Sequence, residues 1–129
     1  MNKYIEYVSA FHKAFGIPIR KKFSLITPAE YTLRFNLMQE ENEEYLKACV
    51  MGDKVEIADS ICDMLYVLSG TLISHGMQDK LEECFNLVHE NNMSKLDKNG
   101  KVLRDGNGKI KKPDGFQAVD LTNIINNED

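Results

Sequence analysis

Apolar residues recur at helical intervals along most of the chain and thin out after Met93. Tyr4, Val8, Phe11 and Phe15 form a first stripe, spaced by three and four. Leu33, Leu37, Tyr45 and Ala48 define a second apolar arc. Ile57, Ala58, Ile61, Leu65, Leu68 and Leu72 make a third stretch that is apolar nearly all round. A helix with no polar side belongs in the middle of a fold, so the third is predicted to be central and buried. Leu81, Phe85 and Val88 mark a fourth.

The boundaries of these stretches carry their own signals. Thr27-Pro28-Ala29-Glu30, Asp53-Lys54-Val55-Glu56 and Asp79-Lys80-Leu81-Glu82 each place a side-chain acceptor three residues ahead of a glutamate, the pattern of a capping box. Pro28 suits a first helical position. Gly16, Gly52 and Gly76 stand where helices should end in a left-handed residue. The spacing predicts helices over Lys3–Phe15, Pro28–Met51, Lys54–His75 and residues 80–92. Short links between the last three favour antiparallel neighbours. The expected architecture is an all-α bundle of about four helices, one domain over residues 1–129. Residues 97–112 are rich in Gly, Asn, Asp and Lys and read as a small C-terminal β-hairpin or an extended basic loop. Beyond them, the apolar cluster at residues 121–125 can dock, and residues 126–129 should fray.

Composition narrows the field modestly. Hydrophobic residues make up 43% of the 129 and charged residues 28%, ordinary values for a soluble globular protein. The formal charge of −4 argues against nucleic acid as a partner, which usually calls for a basic excess. Residues 1–13 are interrupted by charges and do not read as a leader. The long apolar stretch contains Asp59 and Asp63, so a buried helix is preferred to a membrane span. Cys49, Cys62 and Cys84 are odd in number and widely spaced, as expected of reduced core thiols in a cytoplasmic protein.

The acidic residues change the picture most. With about 100° of turn per residue, Glu41 and Glu44 fall inside the apolar arc of the second helix and Glu40 on its edge, while Glu43 faces the solvated side. On the third helix Glu56, Asp59 and Asp63 share one face with Val67 and Gly70. Facing helices would therefore gather five or six carboxylates, with Arg34 the nearest cation. Like charges so close cannot all stay ionised unaided. A hard divalent cation resolves this, and an all-oxygen donor set favours Mg²⁺, with Mn²⁺ a substitute, over Zn²⁺. Simpler roles remain open at the edges: Glu56 as part of its capping box, Glu40 as a solvated charge, Asp63 as a partner of Arg34.

Glu40-Glu41-Asn42-Glu43-Glu44 fits E-E-x-x-E, and Glu56-Ile57-Ala58-Asp59 fits E-x-x-D one helix later. This pair, with a glycine turn between, resembles the all-α nucleoside triphosphate pyrophosphatases, the MazG-like group that includes dimeric dUTPase-like enzymes and phosphoribosyl-ATP pyrophosphohydrolase. Phe11-His12-Lys13-Ala14-Phe15-Gly16, and residues 89–96 with the basic hairpin after them, extend the resemblance to about Phe116. It implies cleavage between the α and β phosphates of a nucleoside triphosphate, to a monophosphate and pyrophosphate. It also implies Glu41, Glu44, Glu56 and Asp59 as metal ligands, with Glu40 as a further ligand or the base orienting water. Asn92 and Lys95 would contact phosphate.

The residues agree with that chemistry. Cleavage at phosphorus needs charge neutralisation and an aligned nucleophile, and a metal-bound water of lowered pKa supplies the second. Lys95, Lys109, Lys111 and Lys112 follow the helical core and are able to reach phosphates or to remain solvated. Tyr45, Tyr66 and Phe11 are rings that can stack on a base or fill the core. Asp97-Lys98-Asn99-Gly100 and Asp105-Gly106-Asn107-Gly108 look like calcium loops, but the glycine is misplaced and no acid closes the loop. The expectation is a metal-dependent nucleoside triphosphate diphosphatase that self-associates as a dimer or tetramer. Its rivals are a phosphoribosyl-ATP pyrophosphohydrolase of histidine synthesis and a non-catalytic helical module that binds metal or nucleotide.

Overall fold

The computed structural model describes residues 2–127, which fall into two compact units that divide in sequence between Asp79 and Lys80. The fraying expected at the end of the chain falls, for Glu128 and Asp129, outside the described residues. The structure is all-α, with α1 (Lys3–Phe15), α2 (Pro28–Met51), α3 (Lys54–His75), α4 (Leu81–Met93) and a short α5 (Thr122–Asn126).

In the first unit the caps form as the sequence predicts. Thr27 accepts from the Glu30 backbone at 3.2 Å, and Asp53 Oδ1 accepts from Val55 and Glu56, both at 3.1 Å. Gly52 ends α2 with φ +66°, a left-handed conformation that costs glycine little. Helix α3 packs on both α1 and α2. By length and composition alone α3 could cross a membrane.

Two expectations of burial are corrected. Helix α3 is central but not enclosed: Val55, Ile61, Leu65 and Leu68 are all exposed. Its two neighbours cover only part of its circumference, so a helix apolar all round keeps one bare side. On α1 the inward face is Ile5, Val8 and His12, while Tyr4, Phe11 and Phe15 are exposed. Phe11 stacks on Phe15 at 4.3 Å between ring centres and meets Tyr66 edge-on at 5.5 Å. Of the three free cysteines only Cys84 is in a core; Cys49 and Cys62 are exposed.

The link between α1 and α2 is tied to the end of α3. Arg20 N donates to Ile73 O at 3.2 Å and Ser24 N to His75 O at 2.8 Å. Gln78 Nε2 donates to Arg20 O at 2.8 Å, and His75 Nδ1 lies 3.0 Å from Ser24 O.

In the second unit α4 begins without the predicted cap. Lys80 occupies that position, no side chain caps the helix, and Asp79 is exposed. The Lys80 ammonium instead donates to the carbonyls of Ile124 at 2.6 Å and Ile125 at 3.3 Å, where it neutralises the carbonyl end of α5. Asn91 Nδ2 donates to Gln117 O at 2.6 Å, so the tail is held near both ends of α4.

Between α4 and α5 the basic segment forms two turns of one design. Asp97 Oδ1 accepts from Asn99 N and Lys101 N, and Asp105 Oδ1 accepts from Asn107 N and Lys109 N. Gly100 and Gly108 take positive φ in matching places. One β-bridge, Arg104 with Ile110, is all the pairing that develops among the described residues. The two D-x-N-G-K tips hold their own backbones as Asx-type turns.

Candidate active site

The cap at Asp53 and the glycine at 52 fold α2 back against α3, and this hairpin brings the acidic stretches together. Glu41 is half-buried on α2, and Glu40 and Glu44 flank it at the surface. On α3 Asp63 is half-buried, whereas Asp59 and Glu56 are exposed. The Glu41 carboxyl is pushed above the usual carboxylate range, first by burial, then by the charges of Asp63, Glu44, Glu40 and Asp59. Glu41 Oε2 is buried with no hydrogen-bond partner. A buried, unsatisfied carboxylate oxygen carries a full desolvation cost, so its surroundings ask for a cation or a proton.

The cluster is not a finished cage. Among the described residues no three of these side chains converge closely enough to hold a metal ion as they stand. Glu56 is not among the charges acting on Glu41; its backbone N–H completes the Asp53 cap. Glu44, predicted to face the interior, is exposed. Asp63 does not pair with Arg34. Arg34 donates from Nε to Thr71 Oγ1 at 3.1 Å and from Nη2 to Val67 O at 2.9 Å. The inward setting expected from the apolar faces is thus found for Glu41 and Asp63, whereas Asp59, like Glu44, is exposed, and Arg34 meets neutral groups.

The residues expected to bind phosphate lie in the second unit. Asn92 is exposed in the last turn of α4, and its carbonyl accepts from Lys95 N at 3.1 Å. Lys95 is half-buried. Lys109 is exposed at the second turn, where its carbonyl accepts from Asp105 N at 2.9 Å. Phosphate contacts through these side chains need no metal, since an ammonium and an amide are both donors.

Sequence reasoning passed over one group near this site. His12 offers no ligand spacing, but Ile5, Val8 and His12 at i, i+3 and i+7 mark the true inner face of α1. Reading histidine as polar rotates that face by one residue toward Phe11.

None of the curated proteins matches the chain. The family model for phosphoribosyl-ATP pyrophosphohydrolase matches residues 8–92, a span that holds all the acids described above and ends before Lys95 and Lys109. The chain belongs to the phosphoribosyl-ATP pyrophosphohydrolase family, a family of pyrophosphohydrolases.

Proposed function

We propose that the chain is a Mg²⁺-dependent nucleoside triphosphate diphosphatase, also served by Mn²⁺, that cleaves between the α and β phosphates to give a monophosphate and pyrophosphate. The observation that carries this reading is the orphaned oxygen of Glu41, set among Glu40, Glu44, Asp59 and Asp63. Members of the family are generally dependent on a divalent metal. Glu41, Glu44 and Asp59 would hold it, with Glu56 reaching in from the first turn of α3. Exposed side chains change rotamer in picoseconds to nanoseconds, so Glu40, Glu44, Glu56 and Asp59 are free to close on an ion. When bound, the metal neutralises phosphate and lowers the pKa of water. Glu40, exposed beside Glu41, would orient the attacking water and take its proton. Asn92, Lys95 and Lys109, in the second unit, carry side-chain donors of the kind that would suit phosphate.

A second substrate is favoured by the family itself: phosphoribosyl-ATP, split at the same kind of bond. A panel of canonical and modified nucleotides plus phosphoribosyl-ATP, with Mg²⁺ or Mn²⁺ and product identification, separates the two. Nucleotide binding with no pyrophosphate released from any member would instead make this a binding module.

We also propose that the protein works as a dimer or tetramer in the cytoplasm. Ile61, Leu65 and Leu68 on α3 with Phe35, Leu46 and Val50 on α2 expose more apolar surface than single scattered residues would. A second copy of the chain covers it. Sedimentation equilibrium tests this, and a monomer at all concentrations would refute it.

A further inference from the structure

The interior of the first unit holds a cation that makes no ion pair among the described residues. Arg34 is 7% exposed and His12 only 2%. The guanidinium bonds to a hydroxyl and a carbonyl of α3. Among the described residues Arg34 makes no ion pair. A buried charge paired only with neutral groups is unfavourable, and an aliphatic side chain could fill the same space without that cost.

His12 completes the arrangement. Its Nδ1 lies 3.1 Å from Pro18 O, an atom that only accepts, so Nδ1 carries the proton. Nε2 then presents a lone pair. A Cβ added to Gly70 would stand 2.6 Å from Arg34 Nη2 and 2.9 Å from His12 Nε2. Both nitrogens therefore converge over the bare Cα of Gly70. Burial, and then the charge of Arg34, hold His12 below its ordinary pKa against the opposing bond to Pro18. Arg34 from α2 is the charged group acting on the ring; α3 contributes Gly70 there, and no carboxylate acts on it.

The clamp and the acids ride the same pair of helices. Arg34 is two turns before Glu41 on α2, about 10 Å along the axis. Its acceptor Val67 is one turn beyond Asp63 on α3 and two beyond Asp59. Fixing Arg34 to Val67 and Thr71 fixes which acids of α3 stand opposite Glu41.

We propose that Arg34 and His12 are positioning residues for the acidic site: a clamp across α1, α2 and α3 that sets the register of Glu41 against Asp59 and Asp63, and that loosens when His12 gains a proton. The positioning half rests on the acids being a metal site; the proton half does not.

The test compares wild type with His12→Asn, which keeps an N–H toward Pro18 but cannot charge, Arg34→Met, and Gly70→Ala, which displaces both nitrogens and keeps both side chains. Melting in chelator is followed from about pH 7.5 to about pH 5.5, the range in which histidine titrates. A histidine with a lowered folded pKa binds fewer protons than in the unfolded chain, so its contribution to wild-type stability should be lost as pH falls through about 6.5, against the opposite contribution of Glu41, which wild type and His12→Asn share. That loss should vanish in His12→Asn and shrink in Arg34→Met. At about pH 7.5, where His12 is neutral, folded Arg34→Met and Gly70→Ala should bind Mn²⁺ about 10- to 100-fold more weakly, the usual effect of losing outer support of a metal site. Identical pH dependence in wild type and His12→Asn would overturn the proton half. Unchanged Mn²⁺ affinity in either folded variant would overturn the positioning half. If wild type binds no Mn²⁺, the metal reading and the positioning half fall together, and the melts still decide whether the clamp senses protons.

Discussion

Arg20 grips Glu30 with both branches of its guanidinium, each at 2.9 Å, and turns a third bond onto the carbonyl of Ser74 at 2.7 Å. One side chain thereby joins the link after α1, the first turn of α2 and the last turn of α3. The bidentate geometry is the strong form of this pair. Arg20 first of all holds the Glu30 carboxyl below its ordinary range. The contribution is present above the unfolded carboxylate pKa, about 4.3, and is lost as pH falls through the lower folded value. Arg20→Ala should reduce the melting temperature at neutral pH and flatten this acid limb; melts across the acidic range will show both.

Glu41 has the opposite sign. Its folded pKa is raised, so the Glu41 contribution to the stability of metal-free protein should grow as pH falls through that value, a gain that Glu41→Gln removes. Mg²⁺ or Mn²⁺ should replace the proton and stabilise the native state by about 2.7 kcal/mol at a hundredfold excess over Kd. Thermal melts with metal and with chelator check this. Equal melting temperatures at saturating metal would remove the cluster as a site.

Glu41→Gln and Asp59→Asn should each lose activity by on the order of 100-fold while remaining folded, since each removes a charged donor and nearly preserves volume. Glu41→Gln should also raise metal-free stability, because a neutral amide ends the repulsion. Circular dichroism and pyrophosphate release are measured on the same samples.

Lys95→Ala should raise the substrate KM and leave Mn²⁺ titrations unchanged, because an ammonium binds phosphate but not a cation. The fall in kcat will report any contact made only in the transition state. An unaltered kinetic profile would move the phosphate contact to Lys109 or its neighbours.

Lys80→Met should free the C-terminal helix from the start of α4, since it deletes the ammonium bonded to Ile124 and Ile125. Amide exchange over residues 122–126 should quicken, and the α2 and α3 amides give the internal reference.

Much of the fold was legible because its signals are local. Thr27, Pro28, Gly52 and Asp53 specify the ends of α2 and the start of α3 within a few residues of themselves. The start of α4 was misread because Lys80 is committed to carbonyls 44 and 45 residues downstream, which no window on the sequence contains. The same division runs through the candidate site. Glu41, Asp59 and Asp63 stood out as acids on apolar faces. Arg34 invited pairing with an acid and instead meets Thr71, Val67 and His12, because α1 and Gly70 open a neutral niche that only the packed helices create.

The bonds that tie residues 20–24 to Ile73, His75 and Gln78 also set an order of events during synthesis. Helix α1 leaves the ribosome ahead of α3, but the link that follows it finds these partners only when the end of α3 emerges. Contacts so distant in sequence wait on the intervening chain. The link between α1 and α2 is therefore secured only after α3 is complete. A ribosome stalled before Gln78 should carry a chain whose leading helix is still open to protease.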